Sequence, residues 1–319
     1  MTTTQKWILV GAIVLLCGAI FFAIRENPTD KYKQVSDSPA PEQTDQTPVV
    51  LDEVKPATPP LVVNPGPKEG QEYYNYTVTT TNIQKELSDL VGEDNVTAVL
   101  QTNRVDIKNI KNGVKIVIPT AFDSASRSPF PLTVESLAEV PKILLFSQRV
   151  QAFAAYESGK LVRWGPISSG KQSTKTPSKL FSTNWKGKEI KSSFDDEWIL
   201  KYNFNLDNFE GVGFHQYEMP GYPASHSCIR LLMEDAMWLY DWADQWILSS
   251  DEQTRLAHGT PVIVFGDYGF GKTAPWKLLP ENPDATDVSL SEIEALVAKN
   301  SATIMERQNE RMGVLGQVQ

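Results

Sequence analysis

Short β-strand patterns recur between residues 141 and 268, and they constrain the fold more than any other feature of the chain. Apolar side chains at alternate positions are typical of a half-buried strand, and they occur at Trp198, Leu200, Tyr202 and Phe204. Residues 150–156 and 161–168 flank a glycine-containing turn at 157–160, which predicts a β-hairpin. Further strands are predicted at residues 143–146, 211–215 and 261–265. The segment is therefore expected to form a mainly β domain.

Two helices are predicted around this β pattern. The first covers residues 234–248, because Trp238, Trp242 and Trp246 recur every four residues and would share one face. This aromatic stripe is interpreted as core packing rather than as a ligand platform. The second lies in the tail, residues 269–319, where Ser289 and Glu292 have the spacing of a capping box. The tail is expected to pack on the β domain, with an oligomer contact as the alternative.

The first 71 residues predict a membrane anchor followed by a linker. Residues 7–24 are uncharged, and a bilayer-spanning helix needs roughly 20 apolar residues. Bulky side chains run up to Arg25 without a small-residue cleavage site, which favours an uncleaved anchor at 1–24 over a cleaved signal peptide. Residues 25–71 are rich in proline and polar residues, a composition that favours an extended linker over a packed core.

Residues 72–120 predict a small α+β module, and residues 121–140 predict a Ser- and Pro-containing connector. Strands are expected near 76–78 and 114–118, and helices at 83–91 and 96–100. Residues 103–119 resemble the second half of a LysM domain, a peptidoglycan-binding module. A generic spacer of the same size is the alternative.

The distribution of cysteine and histidine points to one reactive site. The net charge of -9 argues against a nucleic-acid-binding protein, which normally carries a basic face. Of the two cysteines, Cys17 lies in the apolar N-terminal run, so a disulfide framework is excluded and Cys228 is either a buried or a reactive thiol. Two of the three histidines, His215 and His226, lie within the 14 residues that end at Cys228. A thiol with an imidazole nearby is the pattern of nucleophilic catalysis, because the imidazole helps to generate thiolate.

The residues around Cys228 resemble the signature of the L,D-transpeptidase catalytic domain, the YkuD family. That signature is a histidine, a variable loop, and Ser-His-Gly-Cys followed by an apolar residue and Arg or Asn. It reads here as His215, a loop, and residues 225–230 with the sequence SHSCIR. Segments 168–170, 176–181 and 259–262 resemble further family motifs in the same order. Ser227 and Lys179 stand where the family usually has glycine.

The resemblance implies an L,D-transpeptidase-type β-sandwich at residues 141–268 with one major helix. It implies that Cys228 attacks the carbonyl between the third and fourth residues of a peptidoglycan tetrapeptide stem. His215 would act as general base and stabilise the thiolate, and the Gln216 backbone carbonyl would orient its ring. Backbone N–H groups around Ser227 and Cys228 would form the oxyanion hole. No cofactor and no metal are implied.

Four further side chains are candidates for contact with the substrate. His226 would line the site, and Ser225 and Tyr222 would contact the peptide. Arg230 would bind a substrate carboxylate or form a structural ion pair. The acceptor of the acyl group stays open between a stem amine, an envelope-protein lysine, a D-amino acid and water. The predicted location is the periplasm, with the membrane contacted through the N-terminal anchor.

Two other functions compete with this interpretation. His215, His226 and Cys228 are potential zinc ligands, with Glu218 the only other candidate nearby. A catalytically degenerate scaffold that holds peptidoglycan is the second alternative, because Ser227 replaces the glycine next to the nucleophile. Acylation of the thiol by a carbapenem would separate an enzyme from a scaffold.

Overall fold

The computed structural model of this protein describes residues 71–192 and 199–317. The predicted anchor at 1–24 and nearly all of the predicted linker at 25–71 lie outside these residues. Within the described ranges, no helix is both long and apolar enough to cross a membrane. Apart from the turn at 208–210, the described residues form one compact unit.

Residues 72–120 form a β-α-α-β module, as the sequence predicts. Its elements are β1 (Tyr73–Thr77), α1 (Ile83–Val91), α2 (Val96–Asn103) and β2 (Lys115–Pro119). The two strands pair antiparallel, with Tyr73 opposite Pro119 and Thr77 opposite Lys115. The Asn82 side chain caps α1 by accepting a hydrogen bond from the Lys85 backbone N–H at 3.3 Å. The module has its own apolar core, built mainly from Val78, Leu87, Val99, Ile116 and Ile118.

The rest of the chain is built on one mixed nine-stranded sheet among the described residues. Its strands are β3 (Ile143–Ser147), β4 (Ala152–Glu157), β5 (Lys160–Ser168), β6 (Leu180–Ser182), β7 (Lys186–Lys191), β8 (Ile199–Asp207), β9 (Val212–Gln216), β10 (Ile229–Leu231) and β13 (Pro261–Phe265), and β11 (Ile247–Leu248) pairs separately with β12 (Arg255–Ala257). The order is β6-β13-β3-β4-β5-β10-β9-β8-β7. The pairs β3–β13 and β9–β10 are parallel, and the others are antiparallel. The predicted hairpin is confirmed, because β4 and β5 pair around the turn at 158–159.

Both faces of the sheet are buried at strands β3 and β4, so these strands divide their side chains between two cores. On β3, Ile143 and Leu145 point into one core, here called the first core. Leu144 and Phe146 point into the other, here called the second core. This division follows from the alternation of side chains along a strand. It explains why residues 143–146 read as a continuous apolar run.

The sheet curls so that its two halves enclose the second core. Strands β3 and β9 are separated by β4, β5 and β10 in the sheet order. In a flat sheet they would lie about 19 Å apart, at about 4.8 Å per strand. Instead the rings of Phe146 on β3 and Phe214 on β9 have centroids 5.7 Å apart. The predicted β-sandwich is thus realised as a single strongly curled sheet, and the prediction of a mainly β fold is confirmed.

The helix predicted at 234–248 is shorter in the structure. Helix α3 spans Met233–Trp242. Trp238 and Trp242 share a face, and their rings stack with centroids 5.2 Å apart. Trp246 lies beyond the end of α3, so the prediction of three tryptophans on one helical face is wrong.

Tertiary hydrogen bonds account for the early end of α3. The Asp244 backbone N–H donates to the Thr260 hydroxyl at 2.9 Å. The Trp246 backbone N–H donates to the Asn184 carbonyl at 3.2 Å. Because these amides bind Thr260 and Asn184, which flank the strands, instead of helix carbonyls, the apolar spacing alone overestimates the helix.

The tail packs on the β domain as predicted. Its helix α4 spans Leu290–Gln317. The Ser289 hydroxyl accepts a hydrogen bond from the Glu292 backbone N–H at 3.1 Å, as expected at a helix start. Ile293, Val297 and Ile304 are buried against the first core of the sheet.

Residues 121–140, predicted to be a connector, contribute to the same core. Phe130, Val134 and Leu137 are buried there beside the residues of α4. The Val134 backbone N–H donates to the Gly159 carbonyl in the β4–β5 turn at 2.8 Å. Composition alone misassigns this segment, because its buried apolar residues are few and irregularly spaced among serines and prolines.

Candidate active site

The parallel pairing of β9 and β10 brings the predicted catalytic residues together. His215 lies opposite Arg230, and Phe214 lies opposite Ile229. Phe214 and Ile229 are buried in the second core, so His215 and Arg230 occupy the other face of these strands. Cys228 directly precedes β10, and continuing the same alternation by one residue would place it on the face of His215 and Arg230. The loop thus returns the chain so that Cys228 adjoins the strand paired with the one that carries His215.

The backbone around Cys228 is held in an unusual conformation. Ser227 has a φ of +82°, a region that favours glycine. The Thr176 hydroxyl donates to the Ser227 carbonyl at 2.8 Å, and the Ser225 hydroxyl donates to the Cys228 carbonyl. The Lys171 backbone N–H donates to the Ser225 carbonyl at 3.0 Å. These bonds fix the turn that presents the thiol.

The hydrogen bonds from residues 170–176 act as a clamp on the cysteine loop. Gly170 permits the close approach of backbone within this clamp. A Cβ at Gly170 would lie 2.1 Å from the Thr174 carbonyl oxygen, far inside van der Waals contact. The Gly170 backbone N–H donates to the Thr176 hydroxyl at 2.9 Å, which orients that hydroxyl toward Ser227. The two motifs at 168–170 and 176–181 thus form one structure that supports the cysteine loop.

The geometry of His215 leaves one ring nitrogen available as a base. The ring is 4% exposed, and its Nδ1 lies 3.0 Å from the Gln216 backbone carbonyl. A carbonyl only accepts, so Nδ1 carries the proton and Nε2 keeps its lone pair. Burial lowers the pKa of His215 to about 4, and the charge of Arg230 acts in the same direction. The imidazole is therefore neutral at pH 7.

The Cys228 thiol is also neutral in this state. Burial raises the pKa of the thiol, which outweighs the opposite effects of the Gly213 backbone and Arg230. The thiol donates to the Gly211 carbonyl at 3.3 Å. Within the described part of the chain, no hydrogen bond joins the Cys228 thiol to the His215 ring. Desolvation thus disfavours the thiolate that the family resemblance implies.

Arg230 binds the loop between the two catalytic strands. Its guanidinium donates to the backbone carbonyls of Glu218 and Ala224, each at 3.2 Å. It also lies 4.6 Å from the centroid of the Tyr217 ring. These contacts are with backbone carbonyls and an aromatic ring, so they do not decide between the two roles predicted for Arg230.

The other candidate residues differ in how accessible they are. Tyr222 is 56% exposed, whereas Ser225 is 3% exposed and its hydroxyl is used within the loop. The Nε2 of His226 accepts a hydrogen bond from the Lys171 ammonium at 2.8 Å. Burial, Lys171 and Arg230 lower the pKa of His226. Lys171 was missed by the sequence analysis, although it directly follows the 168–170 motif.

The residues proposed for zinc have other partners. Glu218 pairs with Lys108, with 2.7 Å between the carboxylate oxygen and the ammonium. Among the described residues, no group of three or more His, Cys, Asp or Glu side chains is arranged to hold a metal ion. His258 lies away from this loop, where its Nδ1 is 2.6 Å from the Glu310 carboxylate on α4.

A family profile of the L,D-transpeptidase catalytic domain, named YkuD, matches residues 141–264. This segment is a YkuD-family L,D-transpeptidase catalytic domain. The profile does not extend to residues 72–120, where the LysM resemblance stays a prediction. No curated protein matches the chain.

Solved L,D-transpeptidases are similar to the chain at low sequence identity. The Stackebrandtia nassauensis enzyme is 21% identical, with a TM-score of 0.38 over 61% of this chain and 96% of that one. The Xylanimonas cellulosilytica enzyme (residues 123–326) is 22% identical, with a TM-score of 0.37 over 63% and 99%. The Mycobacterium smegmatis enzyme is 20% identical, with a TM-score of 0.31 over 48% and 64%. The chain also covers only 59% and 62% of two further L,D-transpeptidase chains.

Proposed function

We propose that this protein is a peptidoglycan L,D-transpeptidase that works through an acyl-enzyme on Cys228. The observation that carries the proposal is the position of Cys228 immediately before β10, the strand that pairs with the strand carrying His215, in a YkuD-family domain. A thiol beside a base whose own orientation is fixed by a third group is the general arrangement of a nucleophilic site. The substrate proposed from the family resemblance is a tetrapeptide stem.

The first half-reaction starts from the neutral pair. The Cys228 thiol turns away from the Gly211 carbonyl and passes its proton to Nε2 of His215 as sulfur attacks the carbonyl carbon. The tetrahedral intermediate collapses by breaking the amide bond to the fourth residue. His215 returns the proton to the departing amine, and a thioester remains on Cys228. Catalytic hydrogen bonds are often absent before substrate binds, which fits a thiol that is not yet bonded to the ring.

The second half-reaction transfers the acyl group. An acceptor amine attacks the thioester and gives its proton to His215, and the thiol leaves as the new amide forms. Attack by water would instead release the trimmed stem. The nature of the acceptor remains open between the candidates named from the sequence.

The Cys228 backbone N–H is the proposed oxyanion donor. In a trans peptide the C=O and N–H groups point in opposite directions. The Ser227 carbonyl is bound by Thr176, so the Cys228 N–H of the same peptide points away from Thr176. A fixed donor of this kind stabilises the charge that develops on the carbonyl oxygen.

The location and the N-terminal module belong to the same proposal. We place the catalytic domain in the periplasm, held at the membrane by residues 1–24 and spaced from it by the linker. The LysM resemblance of residues 103–119 supports peptidoglycan binding by the module.

A scaffold without activity is the second candidate. It is favoured by the serine at φ +82° and by the raised pKa of the thiol. A scaffold and an enzyme would differ in covalent chemistry rather than in wall binding.

The decisive experiment is intact-mass measurement after incubation with a carbapenem. We expect the wild type to gain one carbapenem and the Cys228→Ala variant to gain none, because the thiol opens the lactam. A Cys17→Ser variant is the matched control and should be acylated like the wild type. Acylation that persists in Cys228→Ala would reject this nucleophile, and no acylation of the wild type would favour the scaffold. Comparison of cell-wall muropeptides with and without the protein would then identify the acceptor.

A further inference from the structure

The loop between the two catalytic strands is bound from outside the catalytic domain. Met219 lies in this loop and is fully buried. Its backbone N–H donates to the Asp106 carboxylate at 2.7 Å, and its carbonyl accepts from the Asp106 backbone N–H at 2.8 Å. The Asn109 side-chain amide donates to the same carbonyl at 3.1 Å. Both backbone groups of Met219 are therefore held by the small N-terminal module.

The turn that carries Asp106 is itself fixed. Arg104 is 2% exposed, has a φ of +55° at the end of α2, and donates through Nε to the Val150 carbonyl at 3.2 Å. The Asn103 side chain joins α2 to β2 by bonds of 2.7 and 2.8 Å to the Val117 backbone. Val105 also forms a β-bridge with Pro220. These contacts fix the position of the backbone next to Asp106.

The loop is then held from two sides. Arg230 binds the carbonyls of Glu218 and Ala224 from β10, and Asp106 binds Met219 from the module. Loss of the Asp106 carboxylate would leave the buried Met219 N–H without its hydrogen-bond partner, which is unfavourable. The loop begins directly after His215 and Gln216 and ends at the turn of Cys228, so its position sets the relative placement of base and nucleophile.

We propose that Asp106 is a positioning residue for the catalytic loop, and that the small module is consequently part of the active-site architecture. The catalytic part of this inference rests on the proposed transpeptidase function. The contact itself does not, and it can be measured independently.

The test compares Asp106→Ala, Asp106→Asn and Lys108→Ala in the full chain. The asparagine oxygen is able to accept the Met219 N–H, so this variant should rescue the contact. Lys108 lies on the same turn and pairs with Glu218, but both side chains are more than half exposed and such pairs contribute little. Lys108→Ala is therefore the matched control.

Three readouts separate positioning from folding. Hydrogen exchange at the Met219 amide should become fast in Asp106→Ala and stay slow in Asp106→Asn and Lys108→Ala. Carbapenem acylation in Asp106→Ala should slow by roughly 10- to 100-fold, because small displacements of reacting groups are costly. Alkylation of Cys228 by iodoacetamide, followed on its own peptide, should accelerate as the loop loosens. A thermal melt of each variant shows whether the fold persists.

The outcomes are distinct. Slow exchange of the Met219 amide in Asp106→Ala would overturn the proposal. Fast exchange in that variant would also overturn it if the rates of acylation and alkylation stayed at the wild-type values. If the wild type takes up no carbapenem, but Asp106→Ala changes both exchange and alkylation while Asp106→Asn does not, the transpeptidase function fails and the positioning role stands. Failure of Asp106→Ala to fold leaves the decision to Asp106→Asn, where wild-type exchange supports the role and fast exchange rejects it.

Discussion

At the scale of single residues, burial decides the protonation of the catalytic pair. The pKa of His215 is lowered to about 4 and the pKa of Cys228 is raised, each mainly by desolvation. Both shifts favour the neutral form, so in the proposed reaction the pair would begin as thiol and imidazole. The thiolate would then form during attack, when substrate brings the thiol to the base.

This protonation state predicts the acid limb of the pH–rate profile. The proposed mechanism uses neutral His215 as base, and the neutral ring is lost when the pH falls through its pKa of about 4. The second-order rate of carbapenem acylation should therefore hold from pH 7 to about pH 5 and fall below it. Stopped-flow or mass-resolved acylation across this range provides the measurement. A midpoint near 6.5 would mean that the ring is solvated.

A matched pair of histidine variants checks the same assignment. His215→Ala should slow acylation by ~100- to 10,000-fold, the usual contribution of a general base. His258→Ala should leave the rate near wild type, because His258 pairs with Glu310 on α4 rather than with the cysteine loop. Comparable rates for the two variants would show that the base is assigned wrongly.

Ser227 provides a prediction about strain. At a φ of +82° a serine is strained and glycine is not, so Ser227→Gly should raise the free energy of unfolding by about 1 kcal/mol, less a part for unfolded-state entropy. Ser227→Val should be destabilised and slower to react, because a β-branched residue is a clear outlier at positive φ. Thermal melts and acylation rates of both variants test this. A valine variant with wild-type properties would contradict the strained turn.

At the scale of secondary-structure elements, the sequence predicts most strands but not how they pair. The apolar run at 143–146 and the hairpin at 150–168 are local patterns, and both are found in the structure. The parallel register of β9 with β10 depends on packing between strands, so local patterns predict that His215 and Cys228 approach each other but not the strand pairing that achieves it. The end of α3 depends likewise on Thr260 and Asn184, which lie far away in sequence.

The clamp at residues 170–176 predicts the effect of one added methyl group. Gly170→Ala would place Cβ 2.1 Å from the Thr174 carbonyl oxygen, so the segment must shift. We expect a loss of about 1–3 kcal/mol in the free energy of unfolding. Acylation should slow at the same time, because Thr176 would no longer hold Ser227.

The control for this variant is Gly313→Ala on α4. No atom lies within 4 Å of the added Cβ there, and alanine favours helix over glycine. Urea denaturation should show equal or greater stability for Gly313→Ala. Equal stability of Gly170→Ala and wild type would mean that the close approach is unimportant.

At the scale of the whole molecule, the catalytic domain extends beyond the segment matched by the family profile. Leu137 precedes that segment, and Ile293 and Ile304 follow it, yet all three are buried in one core. Composition assigned residues 121–140 to a connector because serine and proline dominate its first half. The apolar residues that matter there are too few and too irregular to predict a packed segment.

A leucine in each flank tests this extended core. Leu137→Ala should lower the free energy of unfolding by about 2–5 kcal/mol, because Leu137 is fully buried. Leu315→Ala is the control, since this leucine is 46% exposed on α4 and surface changes usually stay within about 0.5 kcal/mol. Denaturant unfolding of the two variants measures the difference. A small loss of unfolding free energy in Leu137→Ala would mean that residues 121–140 serve only as a connector.

The shared core has a consequence for how such a protein changes over generations. Val134 and Leu137 on one side of the matched segment touch the same face of the sheet as Val297 and Ile304 on the other. Recombination that exchanged residues 141–264 alone would pack a new sheet against flanking segments that had not changed with it. The signature segment and its two flanks are therefore constrained to be inherited together, and compensating substitutions among relatives should connect the flanks to each other as well as to the sheet.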